Sequence, residues 1–579
     1  MIGIEQELLP FNRSGFLNAE HKLTYIGNGE IGGKAKGLAK INHIILNELN
    51  NKEFNEIEVA IPAMTIIRTD VFDAFMKSNS LYDVVNADLS DERIAYAFQK
   101  ADLPFSILGD LRSLIAQVNT PLAIRSSSML EDAMHEPFAG IYGTKMIPNN
   151  QPDTTSRFNK LAEAIKYVYA TTFFKSAKDY MKATLHKTED EKMAVIIQEV
   201  IGKRFNNRFY PELSGVGRSH NYYAFGNADP KDGIVNLALG LGKTIVDGGF
   251  TWPYCPAYPK ADPPFNSIGD MLKNTQTEFW SVNMGKPPAY NPVNEAEYMI
   301  KESIVVAEED KTLRHLASTL DSQSGRINMG VGRSGPRLLN FAPILRLGTI
   351  PLNDLLINLM QVCENNEGAP VEIEFAMTFS ESGPHKFGFL QVRPMAVSTE
   401  NITIDAAELV STDAFAASEM VLGNGISDNI KDVVFVKRDQ FDVLKTHQIA
   451  ADLEKINKYL VEDSIPYMLI GFGRWGTSDA LAGIPVNWGQ ISGAKTIMEV
   501  SLANVNFEQS QGSHFFHNVT GFGVYYFSIP FNKADVVDWE WLESFEAVNE
   551  TETVKHVRLS KPLQVKVDGT TGRGVILKK

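Results

Sequence analysis

The sequence predicts a mixed α/β protein of several domains, and three observations carry that reading. Residues 22–26, KLTYI, form a strand-like piece that passes through a glycine-rich turn into a segment with helical apolar spacing. Residues 371–394, VEIEFAMTFSESGPHKFGFLQVRP, alternate on both sides of a Ser/Gly/Pro turn, the pattern of two antiparallel strands. Apolar runs of strand length recur between helical segments across the 579 residues, a length that fits about three or four domains of ~150 residues.

Composition narrows the function classes. The chain is 44% hydrophobic and 22% charged, ordinary for a folded protein. Its net charge of −15, with no Lys- or Arg-rich run, argues against nucleic acid and anionic membranes as partners. Cys255 and Cys363 provide no disulfide or metal framework, which fits a reducing compartment. No segment reads as a membrane span or a leader, so no membrane insertion and a cytoplasmic location are expected.

The hairpin is the richest stretch. At period two, Glu372 and Glu374 share one face of the first strand, and Gln391 and Arg393 share one face of the second. Ile373, Phe375, Leu390 and Val392 take the opposite faces and suit a core. Carboxylate and amide oxygens suit Mg²⁺, and an Arg beside them suits a phosphate chain. A solvated edge hairpin has the same pattern.

At residues 27–34, Gly27, Gly29 and Gly32 satisfy G-x-G-x-x-G, which invites a dinucleotide reading and hence an oxidoreductase. The acidic residue expected at the end of a second strand is missing, since IEVAIPAMTII carries Pro62. Alternatively Gly32 and Gly33 let the backbone approach a phosphate and Lys34 adds a charge, or the glycines only make a turn. Leu38, Ile41, Ile45 and Leu49 then mark a helix. Residues 80–120 read as helical with a break at 103–105. At 121–144 a short strand delivers Arg125 into a serine-rich loop that ends in Phe138-Ala139-Gly140. Such a loop folds over phosphates, or Ser128 and Glu131 cap a helix start.

A helix over 156–182, a buried strand at 193–200 and another at 233–238 follow, with Gly240-Leu241-Gly242-Lys243 after it. Residues 250–300, rich in Pro, Tyr and Asn, read as a surface excursion. Helices are expected again near 297–320 and 352–363.

In this order the pieces GGKAKGLAKI, IPAMTIIRTDVFDAF, AIRSSSMLED with FAG, AVIIQEV with SGVG, GLG, and VEIEFA with LQVRP resemble the N-terminal ATP-binding domain of the pyruvate phosphate dikinase and phosphoenolpyruvate synthase family, over roughly residues 22–398. The resemblance implies an ATP-grasp-like fold in two subdomains, 1–200 and 201–398. It implies ATP and Mg²⁺ as cofactors, with Lys34 and Arg125 on the phosphates. It places metal and phosphate contacts on Glu374, Gln391 and Arg393, and the adenine side on Gln198, Glu199 and Val200. Asn236 and Lys243 depart from the acidic residues usual around the GLG, and SGVG continues as RSHNYY. Both departures bear on metal geometry and turnover.

Residues 399–420 read as a connection. Residues 421–437 then resemble the opening of the family's swivelling phosphohistidine domain, which implies a smaller α/β domain over 421–579. The comparable histidine is His514, in QGSH, with His517 as an alternative. A neutral imidazole ahead of a helix is a plausible phosphoryl acceptor, and a packed core histidine is the other reading. In the glycine loop at 471–476, around Arg474 and Trp475, backbone amides suit an anion and Trp475 a stacked planar or sugar group, with Asp479 a base or a turn cap, or the loop is a tight turn around a buried Trp. About 60 residues follow His514, too few for the family's barrel of typically ~250 residues, so pyruvate is not expected as acceptor. The sequence thus points to an ATP-dependent phosphotransferase acting through His514 on a small-molecule or unknown acceptor. By the resemblance the β-phosphate is moved and AMP released. A non-catalytic nucleotide sensor is the second reading.

Overall fold

Pro62 separates two strands that belong to different sheets. Because proline has no N–H to give a ladder, the run around it cannot continue as one strand. Ile57–Ala60 pairs in parallel with His385–Pro394, whereas Met64–Ile67 lies between Leu23–Ile26 and Met193–Glu199. The chain therefore laces two six-stranded sheets together within ten residues. These relations come from a computed structural model that describes all residues except 1–7, 15–22, 50–53, 135, 185–190, 264, 266, 398–401, 478–482 and 502–512.

The first sheet runs in the order Leu9–Pro10, Leu23–Ile26, Met64–Ile67, Met193–Glu199, Leu122–Ser128, Lys145–Ile147. Helices Thr69–Ser78, Asp91–Lys100, Phe105–Gln117 and Thr154–Thr171 contribute Phe72, Phe75, Phe98, Leu111, Leu161 and Ile165 to its core. The single helix expected over 156–182 is two, Thr154–Thr171 and Lys175–Ala183. Helix Gly33–Asn47 buries Leu38, Ile41 and Ile45 in a second core, shared with the second sheet.

That sheet has the order Trp252–Tyr254, Ile234–Ala238, Leu213–Arg218, Val371–Thr378, His385–Pro394, Ile57–Ala60. The hairpin register sets Glu372 opposite Arg393 and Glu374 opposite Gln391, with an irregularity directly after Glu374. Helix Leu352–Glu367 covers it through Leu352, Leu355, Leu356, Leu359 and Met360. The stretch 250–300 is more than an excursion. Glu278–Asn283 and Met299–Ser303 pair within a four-stranded sheet and bury Phe279 and Val282. The helix expected from 297 begins only at Ile304, after that strand.

The C-terminal region is built on a nine-stranded mixed sheet flanked by helices Thr446–Glu462 and Ser513–Gly521. Its strand Ala414–Ser418 pairs with Arg573–Leu577, so the sheet starts inside the stretch read as a connection. The whole is mixed α/β and agrees with an ATP-grasp-like nucleotide-binding unit followed by a further α/β unit. Among the described residues no helix is long and apolar enough to cross a membrane.

Candidate functional site

Two glycines let the first helix start against the serine loop. Gly32 has φ +78°, and a Cβ on Gly32 or Gly33 would collide with the carbonyl oxygens of Ser127 and Glu131 respectively. Ser127 Oγ donates to the Ile31 carbonyl (2.8 Å) and accepts from the Ala35 amide (3.1 Å), which fixes this approach. Lys34 Nζ is thereby brought to Ser126 Oγ (3.3 Å) and to the Glu131 carboxylate. Glu131 also accepts from the Ser128 amide (2.8 Å), and its own amide donates to Ser128 Oγ (3.2 Å). This is the reciprocal bonding of a capping box. Among the described residues no helix follows it, however: 129–134 and 136–144 run as turns, bends and irregular chain, and the bonds stiffen a loop.

The other glycines of the apparent dinucleotide fingerprint are occupied. A Cβ on Gly27 would meet Asp70 Oδ1 at 2.6 Å and one on Gly29 would meet Thr69 Oγ1 at 2.8 Å. The same oxygens accept from the amides of Asn28 (2.7 Å) and Glu30 (3.0 Å). That loop is clamped to helix Thr69–Ser78 and does not present amides to a pyrophosphate. The strands Met193–Glu199 and Leu122–Ser128 also run antiparallel to their neighbours, unlike a doubly wound dinucleotide fold.

Arg125 ties the two sheets together. Its guanidinium donates to Gln198 Oε1 (3.1 Å) on its own sheet, and to the Leu390 carbonyl (2.8 Å) and Gln391 Oε1 (2.6 Å) on the other. Gln391 Nε2 in turn donates to Asp132 (2.9 and 2.8 Å). Gln198 is buried, and its Nε2 has no hydrogen-bond partner among the described residues.

Arg393 behaves differently. It is 2% exposed and donates to Glu372 Oε1 (3.0 Å) and Glu374 Oε1 (2.6 Å). Glu372, fully buried, also accepts from Arg218 (2.7 Å), and His517 Nε2 lies 3.0 Å from it. Burial alone would push the Glu372 carboxyl up, but His517, Arg393 and Arg218 outweigh it and hold the group well below the usual carboxylate range. Glu372 and Arg393 therefore form a sealed ionic centre behind the cleft.

His514 arrives from the C-terminal region on helix Ser513–Gly521. That helix docks on the 137–140 loop: Asn518 Nδ2 donates to the Ala139 carbonyl (3.1 Å), Gly521 packs on Pro137, and the His514 ring lies against Gly140. Phe516 packs under the Arg218 guanidinium at 4.1 Å. Burial, followed by the charges of Arg393 and Lys34, holds His514 well below the usual imidazole range.

Between the two sheets lies a cavity of about 280 Å³, near the lower end of ligand pockets at roughly 300–1,000 Å³. Lys34, Arg125, Gln198, Glu199, Val200, Glu374, Gln391 and His514 all line it. Arg393 does not. Lys243 adds a third cation, paired with Asp247 (2.8 Å), and Ala123, Met146, Leu241 and Leu390 supply an apolar wall. Burial opposes the charge on Lys243, but Glu295 and Asp247 overcome it and raise the ammonium. A model of the pyruvate phosphate dikinase AMP/ATP-binding domain matches residues 28–414.

The chain belongs to that family. A search of curated proteins returned no match. The dikinase-family region contains every predicted cleft residue except His514, which lies a hundred residues beyond residue 414.

Glu295, which lines this dikinase-family cleft, and Asp132, which lies behind it, escape sequence reading. Glu295 comes from the aperiodic 250–300 stretch, accepts from the Thr144 amide (3.1 Å), and has its pKa raised by burial. Asp132 sits between Gln391, Arg393 and Lys34, and burial pushes its carboxyl up to about 6. The one available signal was its place in the serine-rich loop. Trp475 is buried and donates to the Met498 carbonyl (3.3 Å), so its ring is not open for stacking. Asp479 and the Gln511-Gly512 of QGSH lie outside the described residues.

Among the described residues no three His, Cys, Asp or Glu side chains are grouped to hold a metal by themselves. Mg²⁺ bound with a nucleotide needs only one or two protein oxygens beside phosphates and waters. Glu374 and Gln391, opposite one another and facing the cavity, fit that donor set.

Proposed function

We propose that this chain is an ATP-dependent phosphotransferase of the dikinase type, with His514 as the group that first receives phosphate. What supports this most is that His514, from outside the family region, lines the same cavity as Lys34 and Arg125. Residues up to 398 hold the nucleotide in two subdomains, and the C-terminal unit that carries His514 begins with the strand Ala414–Ser418.

Lys34 and Arg125 neutralise the phosphate chain, assisted by Lys243. Gln198, Glu199 and Val200 flank the base, and Gln198 Nε2 supplies a donor that no group among the described residues uses. Glu374 and Gln391 hold Mg²⁺, which when bound supplies further neutralisation of phosphate charge. Arg393 keeps Glu374 oriented from behind. His514, neutral at pH 7, presents a lone pair to the phosphorus and is shielded from water by the 137–140 loop.

The test is incubation with ATP labelled at the β or γ position, followed by nucleotide analysis and a search for acid-labile phosphate on the protein. AMP and labelled protein from wild type, both lost in His514→Asn, are expected. ADP formed equally by His514→Asn would replace this reading with direct kinase chemistry, and binding without cleavage would replace it with a nucleotide sensor.

A further inference from the structure

His514 also borders a second cavity. This one, of about 350 Å³, lies on the C-terminal side and is lined by Ser176, Thr477, Asn487, Trp488, Phe515 and Asn518 among others. Gly140, Val246, Asp247 and His514 line both cavities and so form the partition between them.

The chemistry of the second space differs from that of the first. Among the described residues no Lys or Arg lines it, and Asp247 is the one carboxylate that does. Hydroxyl and amide side chains come from four separate segments. Trp488 is 3% exposed, held by stacking on Phe522 (5.2 Å between centroids), and its Nε1–H has no acceptor among the described residues. Neutral donors and acceptors beside a fixed indole suit a hydroxylated, uncharged molecule. An anionic acceptor such as a keto acid would find no cation there.

We propose that this second cavity is the acceptor site, taking a small uncharged polyhydroxy compound of the sugar or polyol class, and that His514 passes phosphate to it. The inference rests on the phosphohistidine reading above and adds the place and class of the acceptor. An acceptor hydroxyl oxygen attacks the phosphorus on His514 and forms the new O–P bond. The N–P bond breaks with its electron pair returning to the imidazole, and the hydroxyl proton passes to the Asp247 carboxylate.

The experiment uses the full chain loaded from [β-³²P]ATP, freed of nucleotide, and chased in parallel with glycerol, glucose, ribose and pyruvate. Expected is at least a tenfold shorter phosphoenzyme lifetime with one of the first three, with label recovered as a phosphate ester. Ser176→Phe, which fills the second cavity from outside the nucleotide cleft, is expected to load normally and to lose the discharge. Thr477→Val, nearly isosteric, is expected to raise the concentration of acceptor needed by several-fold. Discharge by pyruvate alone, by none of the four, or equally well by Ser176→Phe and Thr477→Val as by wild type overturns the acceptor assignment while loading stands. Absence of labelled protein in every case overturns the phosphohistidine reading itself.

Discussion

Gly140 lies against the imidazole of His514: a Cβ on Gly140 would sit 2.6 Å from His514 Cγ, and the residue has φ +70°. Two regions far apart in the chain thus meet where no side chain is tolerated. Gly140→Ala places a methyl into the ring and adds roughly 1–2 kcal/mol for the left-handed backbone. Phosphate loading is expected to fall at least tenfold, while ATP affinity, read by calorimetry, changes by less than about threefold. Loading at the wild-type rate would show that the ring position does not matter.

The two arginines of the motif separate by experiment. Arg125 faces the cleft, and Arg125→Met is expected to weaken ATP binding about 10–100-fold, the equivalent of roughly 1.5–3 kcal/mol for hydrogen bonds to a charged group. Arg393→Met instead takes away the cation that Glu372, Glu374 and Asp132 share. Its main effect is expected in the urea midpoint, about 3–5 kcal/mol of stability as for other broken buried ion pairs. The reverse pattern, with Arg393→Met stable and unable to bind ATP, would put Arg393 on the phosphates.

That contrast marks where sequence legibility ended. Period-two alternation is local, so the shared face of Glu372 and Glu374 and that of Gln391 and Arg393 were readable from 371–394, whereas the register that sets Glu374 opposite Gln391 comes from the fold. Which pair faces the cavity depends on Arg218 and His517, which close over Glu372 from distant segments and leave no local trace. Pro62 signalled a break, but the hop between sheets is a tertiary fact. Glu295 sits in a stretch without periodicity, where burial by a partner sheet, and not its own pattern, makes the strands. His514 was marked by its chemistry alone, and its place beside Lys34 follows from the docking of one helix on Pro137–Gly140.

Asp132 gives a stability signature. Burial raises its carboxyl from 3.8 to about 6, although Lys34 and Arg393 pull the other way. The folded chain thus holds this proton more tightly than the unfolded one. The resulting stability is fully present below pH 3.8 and is lost as pH rises through about 6. Asp132→Asn has no such group. Between pH 5 and 7.5 the wild type is expected to lose about 1.4 kcal/mol relative to this variant in paired urea titrations. A constant gap across that range would mean the carboxyl titrates normally.

His514 carries the opposite sign. Burial and the neighbouring Arg393 and Lys34 depress its pKa, so the folded chain keeps it neutral while the unfolded chain binds a proton below about pH 6.5. Its contribution to stability is complete above 6.5 and declines as pH falls beneath that value. The ring borders two cavities, so the decline is expected to reach only about 1 kcal/mol at pH 5.5, and to vanish in His514→Asn. The same neutrality keeps the lone pair available for phosphoryl attack, so the loading rate at saturating ATP should stay level from pH 8 down through 6.5. A loading rate that halves near pH 6.5 would mean the imidazole titrates as it does in water, and the cations around it would then lack the influence assigned to them.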